Sequence, residues 1–536
     1  MKKRNFSFHP SEKVDSIVEL IERSERLYSD CVAIKFKKRK LSFQKTYTDI
    51  KIDSMAFAQF LMRQNLQTGH IALLGASSYE WIIAYIGAMY AGLTIVPLDK
   101  ELESGTLNEQ IKDADCDFLL YDKEYADVAE DILNLRGDNL GCFCINDEVP
   151  TYEQQLPYPE IDPDKMSAIL FTSGTTGKSK GVMLTQRNIA CDITCAVGAV
   201  TINHERDVAL SVLPFNHAFE STCSIFGMIY LGVTVCLSRG LKYMQKEFAE
   251  YQPTIMFIVP LIAEKLYEKI WVTAKKQGKD KSLKKGIKLC RLAGKIGIDL
   301  TDKILSDVKA AFGGKLKNLM CGGAPLSEEL IKNYADLGIN LFQGYGLTEC
   351  SPILTVNSDS YHRENSVGKV IDACEVKSVD GEIWAKGTTI SSGYYNNEKA
   401  TAESFSDGWF KTGDLGYVDD DGYVFITGRK KNLIILSNGE NVSAEELEAR
   451  LYEIPYITEA IAYAKEGKIV AEIYIDPEVN DVPAKQKVDE DIARINKDLA
   501  YYKRIDCVIL RDEPFKKTTT KKILRHNVNN YRKDAV

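Results

Sequence analysis

Residues 81–98, "WIIAYIGAMYAGLTIVPL", carry no charged side chain and approach the length that spans a bilayer. Gly87, Gly92 and Pro97 punctuate the run, and its last part is β-branched. The pattern predicts a buried helix capped at Gly92 and then a buried strand, not a membrane span. It returns later in the chain: "IGAMYAGLTIVPL" (86–98) and "FGMIYLGVTVCLS" (226–238) align without gaps, sharing Gly87/Gly227, Tyr90/Tyr230, Gly92/Gly232 and Thr94/Thr234. A looser third copy, "NYADLGINLFQGYG" (333–346), stops at Gly338. Helix–glycine–strand units predict parallel sheets covered by helices. The first pair reflects either two related α/β subdomains or a chance likeness between buried units.

The pattern changes at 376–427. "DGWFKTGDLGYVDDDGYVFITG" and its surroundings alternate in short runs dense in Gly, Asp and aromatics, which predicts antiparallel hairpins. The charge cluster "GRKKN" (428–432) follows. Beyond it, "SAEELEARLYEI" opens with a capping box, Ser443 answered by Glu446, and places Leu447 and Leu451 on one helical face. "KIVAEIYID" (468–476) alternates like a strand, so the final hundred residues read as a small α+β domain beginning near Arg429.

At 536 residues the chain is too long for one core. Its net charge of −8 argues against a general nucleic-acid binder. The local basic run "KKQGKDKSLKKGIK" (275–288) reads as a solvated loop and helix face rather than a docking surface. The 13 cysteines lack zinc spacing and a secreted framework, which points to buried thiols in a reducing, cytoplasmic compartment. "MKKRNFSFHP" at the start has no apolar core after it and is not a signal peptide.

The chemistry begins at "TSGTTGKSKG" (172–181). A Walker loop needs four residues between its glycines, whereas Gly174 and Gly177 are separated by two. The hydroxyls, open backbone amides and Lys178 and Lys180 nevertheless suit a polyphosphate, and "SAILF" before them reads as a buried strand. Taken alone, such a loop is more often a plain surface loop.

The longer string "ILFTSGTTGKSKGVMLTQRNI" resembles the phosphate loop of the adenylate-forming superfamily, which includes acyl-CoA synthetases, luciferases and peptide-synthetase adenylation domains. Six further segments resemble that family's motifs in order: "LPFNHAFE" (213–220), "CGGAPL" (321–326), "QGYGLTE" (343–349), "WFKTGDLG" (409–416), "GRKKNLI" (428–434) and "TTTKKILR" (518–525). Ser179 stands where the family usually has Pro, Gln186 where His is common, and Lys521 where Gly precedes the lysine. Some relatives carry a Lys at the place of Ile435.

The resemblance implies an α/β fold. A large N-terminal domain (1–428) has two related helix-covered sheets and a β-rich part at about 370–428. A hinge (429–432) and a small mobile α+β lid (433–536) follow. It implies ATP as co-substrate, cradled by Thr172, Ser173, Gly174, Thr175, Thr176, Gly177, Lys178 and Lys180. Gly323 and Ala324 would line the adenine, with Gly344, Tyr345 and Gly346 beneath it. Thr348 would donate to the α-phosphate, and Glu349, with Thr172 as the second candidate ligand, would hold Mg²⁺. Asp414 would accept from the ribose and Arg429 reach ribose or phosphate. His217 would orient or gate the acyl group, and Lys522 would bridge carboxylate and α-phosphate, with Lys521 as the fallback. Lys431 would be the hinge, and Ser437, Asn438, Gly439 and Glu440 would approach the pantetheine arm of coenzyme A. Each of these residues, met alone, is more often a cap, a turn, a packing residue or a solvated charge; the ordered set is what carries the reading.

The implied reaction has two halves: a carboxylate attacks Mg·ATP to give acyl-AMP and pyrophosphate, then a thiol displaces AMP. Residues 265–319 resemble the helical segment of long-chain acyl-CoA synthetases. The motif around His217 lacks the Asp that holds an ammonium in amino-acid-activating domains, with Asn216 a weak substitute. A fatty acid is therefore the expected substrate, with CoA as acceptor; an acyl carrier protein is the alternative. A non-catalytic binding protein on this fold and a phosphotransferase are the rival classes. Peripheral membrane contact is compatible with a lipid product, although no amphipathic anchor is evident. The sequence is silent on oligomeric state.

Overall fold

The structure, a computed structural model, describes residues 8–9, 11–64, 66–137, 140–172, 179–363, 365–436, 440–477, 483, 485–517 and 523–525. Contacts divide the chain into a larger unit, the residues up to 375 with 385–410, and a smaller one, 376–384 with the residues from 411 onward.

The larger unit holds two sheets. The six-stranded sheet runs in the order Gly141–Cys144, Phe118–Tyr121, His70–Leu74, Thr94–Pro97, Met166–Thr172, Lys180–Thr185. It is parallel except for its last, antiparallel pair. The nine-stranded sheet has a parallel run Asn340–Tyr345, Asn318–Cys321, Ile255–Ile258, Val208–Ser211, Thr234–Leu237 and Val32–Lys38. Antiparallel strands flank that run on both sides. Apolar side chains fill the strands because helices cover them, as the uninterrupted burial of His70–Leu74 and Ile255–Ile258 illustrates.

The repeated sequence unit is a repeated structure. Helix Tyr79–Tyr90 closes at Ala91, Gly92 follows in the left-handed region (φ +67°), and Thr94–Pro97 enters the six-stranded sheet. Helix Gly227–Tyr230 closes at Leu231, Gly232 follows (φ +77°), and Thr234–Leu237 enters the nine-stranded sheet. Each stop has the same pair of bonds: Leu93 N–H to Ala88 and Gly92 N–H to Met89, then Val233 N–H to Met228 and Gly232 N–H to Ile229. This is the Schellman ending that glycine permits at little cost. Gly338 (φ +73°) repeats it a third time, before Asn340–Tyr345.

In the smaller unit, residues 414–418 of the strand Trp409–Val418 pair with Val424–Arg429. Strands Glu459–Lys465, Lys468–Tyr474 and Cys507–Arg511 form a three-stranded sheet. Helices Ala444–Leu451 and Lys485–Asp498 share a core with it that includes Leu447, Leu451, Val488 and Ile492.

Two sequence expectations need correction. Ser443 caps its helix, accepting the Glu446 N–H at 3.3 Å, but Glu446 does not answer. Its carboxylate goes to the Lys503 ammonium at 2.8 Å, a charged partner that outcompetes a backbone N–H. Gln186, which reads in the sequence only as a departure from the usual His, is fully engaged. It accepts from the Ile17 and Val18 N–H groups and donates to the Met89 carbonyl, and so fastens the helix Ile17–Tyr28 to the core. Eight of the 13 cysteines are buried and all are free thiols. Among the described residues no helix is long and apolar enough to cross a membrane.

Candidate functional site

In the larger unit, the expected site residues emerge where parallel strands end. Asn318–Cys321 leads into Gly323 and Ala324, and Asn340–Tyr345 ends on Gly344 and Tyr345, one strand over. His217 follows Val208–Ser211, two strands from Asn318–Cys321 on the other side. Carboxyl ends of parallel strands converge loops around one crevice, so adjacency in the sheet gathers residues far apart in sequence. Gly323 has φ +85°. At Gly346 a Cβ would lie 1.9 Å from the Pro352 carbonyl oxygen, so only glycine fits.

Thr348 and Glu349 lie on a short 3₁₀ turn, Thr348–Cys350. That turn is fixed from several sides. The Ser391 N–H donates to the Glu349 carbonyl at 2.8 Å, and the Ser351 hydroxyl donates to Thr389 at 2.7 Å. The Ile353 N–H reaches the carboxyl of Asp192, which is fully buried on the helix Gln186–Ala196. Glu349 is itself buried and accepts from the Tyr394 hydroxyl at 2.7 Å. Burial and that carboxylate push the Tyr394 phenol well above its ordinary range, so it stays a donor.

Tyr394 also joins Glu349 to the glycine-rich loop. The Lys180 ammonium sits 4.9 Å from its ring centre. Thr172 and Lys180 face each other across the antiparallel pair, so the loop starts and ends at neighbouring positions. Ser179, at the place usual for proline, accepts a hydrogen bond from Gln110 at 3.2 Å. Ser173, Gly174, Thr175, Thr176, Gly177 and Lys178 lie outside the described residues.

His217 is half-buried immediately before a π-helix, Phe219–Phe226. Its carbonyl accepts from the Glu220 and Ser221 N–H groups. Glu220 is fully buried, accepts from the Ser211 hydroxyl, and has its carboxyl pushed up to about 8 by desolvation. Wide helical turns of this kind recur at functional sites.

In the smaller unit Asp414 and Arg429 are register partners, and the buried Asp414 carboxylate meets the Arg429 guanidinium at 2.6 Å. The two expected ribose contacts therefore lie against each other. Lys430–Asn432 forms a 3₁₀ turn with Lys431 exposed at its centre. Glu382 takes the Gly413 N–H and the Lys430 ammonium (2.9 Å). Glu445 takes the Asn432 amide and, more weakly, the Arg429 N–H at 3.4 Å. Ile435 is exposed, as is Glu440. Ser437, Asn438, Gly439, Lys521 and Lys522 lie outside the described residues. The flanks of the last pair are fixed: Lys517 bridges to Ile523, Leu524 N–H donates to Lys516, and Arg525 pairs with the buried Glu448.

Tyr394, Asp192, Glu382 and Glu445 are the participants that motif reasoning missed. The available signal was weak: Asp192 lies within an apolar helix, where an acid demands a partner.

Parallel sheets that gather glycine loops, a buried acid and a tyrosine at their strand ends, joined to a small α+β unit, define the adenylate-forming fold. The chain belongs to the AMP-binding enzyme family, whose model matches residues 21–395. The long-chain-fatty-acid–CoA ligase FadD15 of Mycobacterium bovis is 29% identical over 79% of this chain and 76% of its own. The human long-chain-fatty-acid–CoA ligase ACSBG1 is 28% identical over 85% and 70%. Among solved structures, the o-succinylbenzoate–CoA synthetase of Bacillus subtilis in complex with ATP and magnesium superposes with a TM-score of 0.75. It shares 23% identity, over 95% of this chain and 99% of that one.

Proposed function

We propose that the protein activates a fatty acid with ATP and transfers it to CoA, releasing AMP and pyrophosphate. The observation that carries this reading is the Glu349–Tyr394–Lys180 chain, which ties a buried acid to the end of a glycine-rich loop. The names of the relatives supply the acid and the acceptor.

The residues suit Mg·ATP. Glu349 uses one carboxylate oxygen for Tyr394; its other oxygen has no hydrogen-bond partner among the described residues, as a hard-cation ligand requires. Thr172 is the second candidate ligand. Bound Mg²⁺ would neutralise phosphate charge as the α-phosphorus is attacked. Lys180 and the loop amides hold the phosphates, and Thr348 donates to the α-phosphate. Tyr345 stacks on the adenine, lined by Gly323 and Ala324. Asp414 accepts from the ribose once Arg429 turns towards it. His217 orients the acyl carboxylate. Lys522 balances the charge of the pentacoordinate centre, and one such donor contributes roughly 10²–10³ in rate.

For the second half-reaction Lys431 acts as the hinge and 437–440 receive the pantetheine arm. The domains of the reading are 1–428, the hinge 429–432 and the lid 433–536. Free thiols throughout support a reducing, cytoplasmic setting. Fatty acids partition into bilayers, so transient contact with a membrane surface belongs to the reading.

The test is release of pyrophosphate and AMP from Mg·ATP across a panel of fatty acids, with and without CoA. Stoichiometric release dependent on both acid and CoA is expected. Adenylate formation without CoA turnover would move the acceptor to a carrier protein, and no pyrophosphate with any acid would overturn the reading.

A further inference from the structure

The helix Asp280–Gly294 turns Leu283, Cys290 and Ala293 inward. Its other face exposes large aliphatic side chains. Leu289 and Leu292 are 51% and 53% exposed, and Ile296 and Ile298, in the turn that follows, are 74% and 49% exposed. Positions 289, 292 and 296 are spaced by three and four residues, so they continue one ridge along the helix and out past its end. A soluble surface seldom leaves four such side chains together without a use.

The charge around the ridge has one sign. Residues 275–296 contain eight lysines and one arginine against a single acid, Asp280, in a chain whose net charge is −8. Two of these cations are neutralised elsewhere: Arg291 pairs with Asp336, and Lys279 with Asp307. Lys281, Lys284, Lys285, Lys288 and Lys295 are exposed and have no acidic partner among the described residues. Charge alone suggested a merely solvated face here. The apolar ridge among unpaired lysines is what the folded chain adds.

We infer that this face docks the protein on an anionic lipid bilayer, with Leu289, Leu292, Ile296 and Ile298 entering the acyl boundary and the flanking lysines at the lipid phosphates. Long lysine stems let the ammonium groups stay at headgroup level while the ridge sinks below them, the arrangement of helices that lie in a membrane interface. Each lysine near such a surface adds attraction that salt screens. The helix covers its own core on the other side, so docking needs no unfolding. The inference deepens the fatty-acid reading, because an acid dissolved in a bilayer would be met at its source, and it rests on that reading for its purpose.

Vesicle co-sedimentation of the full chain, without substrate, tests it. The wild-type chain is expected to bind vesicles of phosphatidylcholine and phosphatidylglycerol about tenfold better than phosphatidylcholine alone, and to be released by salt. Two triple variants, Leu289→Ser/Leu292→Ser/Ile296→Ser and Lys284→Glu/Lys285→Glu/Lys288→Glu, should each lose about tenfold in partitioning while keeping the wild-type melting temperature. All the altered residues are exposed, so the fold does not depend on them. Wild-type chain that ignores anionic vesicles, or triple variants that bind as wild type, would overturn the inference. So would capture of an acidic carrier protein by this face without vesicle binding. The readout involves no catalysis, so failure here is distinct from failure of the pyrophosphate assay.

Discussion

The Tyr394 hydroxyl donates to Glu349 at 2.7 Å while its ring faces the Lys180 ammonium at 4.9 Å. One side chain thus serves two motifs that lie far apart in the sequence. The hydroxyl engages one carboxylate oxygen of Glu349, and the ring holds the end of the loop.

Tyr394→Phe separates these roles, since it keeps the ring and removes the hydrogen bond. A hydrogen bond to a charged group contributes about 1.5–3 kcal/mol, so pyrophosphate release should fall by about 10- to 100-fold. The magnesium concentration giving half-maximal rate should rise as well. Steady-state rates across a magnesium titration check both; a variant with wild-type rate and wild-type magnesium dependence would remove Tyr394 from the site.

Glu220 makes stability depend on pH. Its folded carboxyl keeps its proton up to about pH 8, whereas the ordinary glutamate value is 4.5. The native state therefore binds more protons than the unfolded state through that window. Its stabilisation is complete below about pH 4.5 and is lost as the pH rises through 8, by about 5 kcal/mol in all. Glu220→Gln should flatten this part of the slope, with melting temperature against pH as the measurement. An unchanged slope would mean that Glu220 is already ionised in the native protein.

Lys522 and Lys431 are expected to divide the two half-reactions. Lys522→Ala should lose about 10²–10³ in acyl-adenylate formation yet still convert supplied acyl-AMP and CoA to thioester. Lys431→Pro should do the reverse, by fixing the backbone of the turn. Rapid-quench assays of each half separately decide this, and equal loss in both halves by either variant would sink that residue's assignment.

The pair between Arg525 and buried Glu448 anchors the residues just after Lys522. Glu448 also accepts the Ala462 N–H at 2.7 Å, which joins the anchor to the three-stranded sheet. Arg525→Ala leaves a buried carboxylate without its cation and should destabilise the smaller unit by about 3–5 kcal/mol. Denaturant unfolding followed by hydrogen exchange in strands 459–465 and 468–474 would report it, and unaltered exchange there would show that the pair is dispensable.

How much of this could be read from the chain depends on the range of the interaction. Gly92, Gly232 and Gly338 announce their helix stops because a Schellman ending is decided within six residues. The family motifs locate Glu349 and Asp414 because they are contiguous strings. Tyr394 was not legible: its partner lies 45 positions back, and a tyrosine in "SGYYNN" looks like a turn residue until the sheet is folded. Glu446 shows the opposite failure. The local capping rule offered it a backbone N–H, but the fold supplied Lys503, 57 residues away, as a better partner. Gln186 reads as an unimportant departure until its three hydrogen bonds are seen.

The pairing of Ile34 with Val235 sets an order on synthesis. All six strands of one sheet lie between residues 70 and 185, so that sheet can close as soon as this stretch has left the ribosome. The earlier strand Val32–Lys38 has its parallel neighbour in Thr234–Leu237, translated about 200 residues afterwards, which at typical elongation rates is a wait of roughly 10–40 s. Through that interval the N-terminal hairpin has only its own second strand, Leu41–Thr46, to cover one edge. The other edge stays open on the nascent chain until Thr234–Leu237 arrives to cover it.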